Sequence, residues 1–221
     1  MEEFRGVNVK TAISFIEKHG ILLVFPIDNR KEPRSLWSCF FPRSEMRWEW
    51  DDGGDDRVAK LWHLREQLSS SGQVIYAKWF RGRATVLSRE VFTAMLSAVG
   101  SSRKPHDGLT PQALEVLGAL ELDSPMSTKE LKLATDLRGK FHERAYERAM
   151  KELWSRLLIV GCGERDDGAF PSLLLGSTQL IFEELWQESL KMSAAGGIAI
   201  LKSKLPGDSL FLKYFLKLYK T

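Results

Sequence analysis

Along HERAYERAMKELWSRLLIVG, residues 142 to 161, the apolar residues Tyr146, Met150, Leu153, Trp154 and Leu157 fall at spacings of three and four. That period lines one side of a helix. Arg144, Arg148 and Lys151 repeat on another side at i, i+4 and i+7, and the apolar run LLIVG follows at once. The basic stripe is either a DNA-reading face or the wet side of a packed helix.

The flanking pattern says which kind of helix this is. Thr110 followed by Pro111 is a cap with proline at the first helical position, opening PQALEVLGALEL. Ser127 and Glu130 have the spacing of a capping box, which predicts a short helix through Leu131, Ala134 and Leu137. After the basic helix, LLIVGCG and FPSLLLG read as two strands joined by ERDDGA, where Asp167-Gly168 suits a tight hairpin turn. Helix, short helix, longer helix and β-hairpin is the order of a winged helix-turn-helix, here over 105–177.

The first half is less regular. Asn8 caps a helix carrying Ala12, Ile13 and Ile16 that stops at Gly20, and ILLVF reads as a buried strand or core segment. Prolines 26, 33 and 42 mark loops. DRVAKLWHLREQL presents Val58, Leu61, Trp62, Arg65 and Leu68 on one side, and Ser88 caps a helix with Val91, Phe92, Met95 and Leu96 inward. The periodicity of QVIYAKWFRGRATVL does not settle helix against strand, and its first half has no assigned element. The linker-like SSRKPHDG separates an N-terminal, mainly helical, winged-helix-like domain, 1–104, from the winged helix. A helical extension, 178–221, follows, starting at Thr178 with Ile181, Phe182, Leu185 and Trp186 inward. Over 202–220 its five lysines against Asp208 leave a charge of +4. No internal repeat of fixed period is visible. The expected class is mainly α with small β-wings (α+β), with tandem winged helices.

Composition narrows the function. A chain of 221 residues, 43% hydrophobic, can bury a sizeable core, and its net charge of +3 does not by itself argue for nucleic acid. Cys39 and Cys162 are far apart, with no ligand spacing for zinc, and read as buried thiols of a reducing cytosol. ILLVFPI is too short to span a membrane, and MEEFRGVNVK has no signal-peptide core, so a soluble, cytoplasmic protein is expected.

Lys140, Arg144, Arg148 and Lys151, with Arg165 on the wing, are the residues expected against double-stranded DNA. Phosphates dominate affinity, and arginine also pairs with guanine. Against this, Glu143, Glu147 and Glu152 supply i, i+4 partners for Lys151 and Arg156. A second basic patch, Lys78, Arg81 and Arg83, surrounds Trp79 and Phe80, which either stack on a base or belong to the core. EMRWEWDDGGDD carries a local charge of −5, but Asp55 and Asp56 sit where they cap the next helix, and the spacing is not that of a calcium loop. His19, His63, His106 and His142 have no catalytic partners at a recognisable spacing, and no phosphate loop, cofactor motif or metal site is indicated.

FIEKHGILLVFP, SLW at 35–37, YAKWFRGRATVLS at 76–88 and AMKELWSRLLIVG, taken in order, resemble the AlkZ/YcaQ-type winged-helix DNA glycosylases, and most closely the shorter AlkZ-related proteins. The resemblance implies tandem winged-helix units that hold DNA on a concave basic surface. It also implies a catalytic motif of Gln, an apolar residue, then Gln or Asp, after an N-terminal helix ending in Gly. Here Leu23, Val24 and Phe25 stand at that place, and no Gln-x-Gln or Gln-x-Asp occurs in the chain. An apolar triplet neither activates water nor offsets charge on a cleaving glycosidic bond. The expectation is therefore DNA binding without base excision. A glycosylase with a different constellation, using carboxylates such as Glu49 or Asp51, stays open, and so does a protein-interaction module or homo-oligomer.

Overall fold

The computed structural model describes residues 6–48, 55–100, 106–168 and 170–219. The first helix, α1 (Val9–His19), starts where the Asn8 side chain accepts from the Thr11 amide and ends where Gly20 turns left-handed at φ 73°. A chain reversal there leads into β1 (Ile21–Leu23). The short α2 (Leu36–Phe40) is capped by Ser35, and α3 (Asp56–Ser70) by Asp55. A hairpin follows, β2 (Ile75–Ala77) and β3 (Thr85–Leu87), and then α4 (Arg89–Gly100). The stretch whose periodicity does not decide between helix and strand is this hairpin, turned by Arg81 and Gly82, both at positive φ.

The same order of elements then recurs. Helix α5 (Pro111–Leu122) has its Thr110 cap, β4 is Met126–Ser127, and α6 (Thr128–Ala134) has both halves of the Ser127–Glu130 capping box. Helix α7 (Glu143–Ser155) leads to the hairpin β5 (Ile159–Arg165) and β6 (Ser172–Ser177). The chain continues through α8 (Thr178–Ile181), α9 (Glu183–Lys191), α10 (Ala194–Lys204) and α11 (Leu210–Tyr219). The single helix expected from Thr178 is two, because Phe182 leaves helical geometry (φ −124°, ψ 52°) to bury its ring against Phe92.

The protein is α+β, and its two hairpins are not separate. They join edge to edge in one antiparallel sheet of six strands, ordered β1-β3-β2-β5-β6-β4. The seam is the β2–β5 pairing of Tyr76 with Gly161. Alternation sends Leu22, Val24, Val74, Tyr76 and Val86 to one face, covered by α1, α2 and α3. Ile21, Leu23, Ile75, Ala77 and Leu87 face the other core, which α4 and the C-terminal helices share with α5 and α7. At Gly197 of α10 an added Cβ would lie 2.5 Å from the Ala94 carbonyl oxygen, so the C-terminal helices pack closely onto α4.

Four local expectations fail. Trp62 points outward, 47% exposed, because Val58, Leu61, Leu64, Arg65 and Leu68 already fill the inward arc of α3. Ala134 is exposed, since α6 buries only Leu131. The β5–β6 pairing runs out to Arg165 opposite Ser172, so the connection is residues 166–171 and not a two-residue turn. Cys39 and Cys162 are half-buried free thiols, and partial burial pushes both upward, Cys162 to about 12. Among the described residues no helix is long and apolar enough to cross a membrane.

Candidate nucleic-acid interface

Helix α7 buries Tyr146, Ala149, Leu153 and Trp154 against the second core. Arg144, Glu147, Arg148 and Lys151 lie on the exposed side, and Lys140 is exposed in the turn before the helix. Of the neighbouring carboxylates, Glu147 stays in this row, whereas Glu143 and Glu152 are engaged elsewhere. Glu143 accepts from Lys132 of α6 at 2.9 Å. Glu152 accepts from the Thr110 hydroxyl at 2.8 Å and pairs with Arg156 at 3.3 Å. Arg156 in turn donates to the carbonyls of Asp107 and Gly108, fastening the start of the second half to the end of α7. The expected Glu147–Lys151 pair does not form. Among the described residues none of Lys140, Arg144, Arg148 and Lys151 has an ion-pair partner.

Arg165, at the end of β5, is ion-paired with Glu130. The other Glu130 oxygen accepts from the Ser127 amide at 2.8 Å, so one carboxylate closes the α6 cap and holds the hairpin. Lys129 adds a second clip, 2.9 Å from the Asp167 carboxylate, which also accepts from Ser172 at 2.7 Å. These hydrogen bonds hold the Asp167 carboxyl down at about 2.

The other basic patch lies apart from this one. Because β2 and β5 are antiparallel, the turn 78–84 and the turn 166–171 leave the sheet at opposite ends. Lys78, Arg81 and Arg83 are exposed there, whereas Trp79 and Phe80 are core residues, packed against Phe211, Tyr214 and Phe215 of α11. Partial burial of its ammonium, with Arg65 nearby, lowers the Lys78 pKa.

An aromatic cluster on the α3 side brings Trp48, which the sequence marks beside the acidic stretch, together with Phe25 and Trp62, which the sequence pattern does not group with it. The Phe25 ring lies 5.5 Å from Trp48 and 6.4 Å from Trp62, nearly parallel to the latter at 16°. The Arg65 guanidinium sits 4.1 Å from the Trp62 centroid and is ion-paired with Glu164 of β5. Leu23 and Val24, beside Phe25, are fully buried.

Chemistry of other kinds finds little support. Asp55 is held by Arg57, whose hydrogen bonds lower its pKa, while Glu49 and Asp51 lie outside the described residues. Among the described residues no three His, Cys, Asp or Glu side chains gather as metal ligands. A cleft of about 300 Å³ between α1 and the α10–α11 turn is lined by Lys18, His19, Glu32, Arg34, Lys204 and Asp208 among others. Its charges are mixed, and Arg34 and Lys204 are already paired with Glu32 and Glu90.

No curated protein and no solved structure matches the chain. The family model described as AlkZ related matches residues 7–195, most of the chain and both repeats of the element order. The chain belongs to the AlkZ-related family.

Proposed function

We propose that this is a winged-helix DNA-binding protein, related to DNA-repair glycosylases, that binds double-stranded DNA through α7 and has no base-excision activity of its own. Two successive runs of helix, strand, two helices and hairpin support a reading as tandem winged-helix units, 1–104 and 105–177, with 178–221 as a helical extension packed back on α4. In such a unit the third helix enters the major groove and the hairpin touches phosphates. The observation that carries the reading is the exposed row Lys140, Arg144, Arg148 and Lys151, whose neighbouring carboxylates Glu143 and Glu152 are engaged elsewhere. Arg165 flanks that row from the hairpin, and Lys78, Arg81 and Arg83 form a separate contact.

The absence of excision rests on Leu23, fully buried, and Phe25, half-buried, which are apolar where the resemblance expects polar side chains. The test is binding to a labelled duplex by fluorescence anisotropy, comparing the natural chain with Arg144→Ala/Arg148→Ala. Weaker binding by the double variant, across unrelated sequences, is the expected result. Equal binding moves the interface off α7.

A further inference from the structure

We propose that Trp62 and Phe25, with Trp48 beside them, form a stacking platform for an unpaired nucleobase, and that Lys78 holds the adjoining phosphate. The inference rests on the nucleic-acid reading above but uses a surface away from α7, built around the Lys78 patch, and a different form of the ligand.

Trp62 lies on a helix that has buried Leu61, Leu64 and Leu68, yet its own ring is 47% exposed, and Trp48 is 36% exposed. The ring is nevertheless fixed. Arg65 lies 4.1 Å from its centroid, and Arg65 is itself 2% exposed and tied to Glu164. Phe25 adds a nearly parallel neighbour. A ring already held in place loses little freedom when a planar ligand stacks on it.

Cations supply the rest of a strand-binding site. Val74 and Tyr76, before and within β2, face α3; Lys78, one residue past the strand, continues that alternation and lies near enough to Arg65 of α3 to be affected by its charge. The Val24 amide donates to the Ala84 carbonyl at 2.9 Å, which sets Arg83 beside the Phe25 segment, while the Arg81 guanidinium lies 5.3 Å from the Phe80 centroid, on the α11 side. Among the described residues none of Lys78, Arg81 and Arg83 has an ion-pair partner. Aromatic faces bordered by unpaired cations suit bases and phosphates of a single strand, whereas in a duplex the base faces are already stacked on one another. An aliphatic protein partner would leave these cations unused.

The experiment uses the full chain and a labelled twelve-nucleotide oligothymidine, with a matched duplex in parallel. Trp62→Ala should weaken single-strand binding by about 5- to 150-fold, the range for removing one stacked base, and leave duplex binding within about twofold. Trp62→Phe, which keeps a ring, should restore most of the affinity, and a 2-aminopurine placed in the oligonucleotide should be quenched by the natural chain but not by Trp62→Ala. Unchanged single-strand affinity in Trp62→Ala, or no single-strand binding by the natural chain, overturns the inference even if duplex binds. Trp62-dependent single-strand binding without duplex binding upholds it and overturns the reading of α7 instead.

Discussion

Tyr76 and Gly161 face each other across the seam of the sheet, so closely that a Cβ on Gly161 would lie 2.4 Å from Tyr76 Cδ1. The pairing joins the two three-stranded halves and needs a residue with no side chain. Gly161→Ala should destabilise the protein by about 1–3 kcal/mol in urea unfolding, as overpacking does. The same change in a Tyr76→Ala background should cost less, since the clashing ring is gone. Equal costs in both backgrounds would show that the seam is looser than this.

Arg65 and Glu164 tie α3 to β5 through a largely buried ion pair. Removing one partner leaves the other charge poorly solvated, so Glu164→Ala should cost about 3 kcal/mol, while replacing both by apolar residues of similar size should cost far less. Chemical denaturation of the two variants checks this, and a double variant as unstable as the single one would contradict it.

The Lys129–Asp167–Ser172 clip makes the β5–β6 turn sensitive to acid. The Asp167 pKa is depressed, to about 2, by its hydrogen bonds to Lys129 and Ser172. A depressed carboxylate stabilises the fold above its unfolded pKa, near 3.8, and that contribution disappears as pH falls through about 2. Proton titration by NMR should find Asp167 at the low end of the carboxylates, and Lys129→Met should raise its pKa. An ordinary Asp167 value in the natural chain would contradict the clip.

Incubation with an alkylated duplex should release no free base, because no polar group stands at Leu23, Val24 or Phe25. Chromatography of the supernatant measures it. Catalytic release that survives purification would establish a different active site, with Glu49 and Asp51 the first residues to change.

The second half of the chain is legible because its boundaries are written in local chemistry. Thr110-Pro111 and the Ser127–Glu130 box each satisfy backbone donors within three residues, so their geometry follows from spacing alone. The β2–β3 hairpin is not legible, since its strands are three residues each and buried on both faces, leaving no alternation to read. The repeat is hidden for a related reason. The first unit spends residues 24–55 between β1 and α3, and the second only 128–142 between β4 and α7, so no fixed period survives. At the candidate site the basic row is visible in the sequence, but the direction of Glu143 and Glu152 is not, because Lys132 and Thr110 come from other elements. Trp62 is exposed where its spacing puts it inward, because hydrophobicity alone does not distinguish a core ring from a surface one.

Whether α7 is the DNA-binding face is decided by the salt dependence of duplex binding, measured for the natural chain and for Arg144→Ala/Arg148→Ala. If both arginines neutralise phosphates, the log-log slope should become shallower by about 1.8 in the double variant, at roughly 0.9 for each phosphate. An identical slope in the two proteins would contradict α7 as the DNA-binding face.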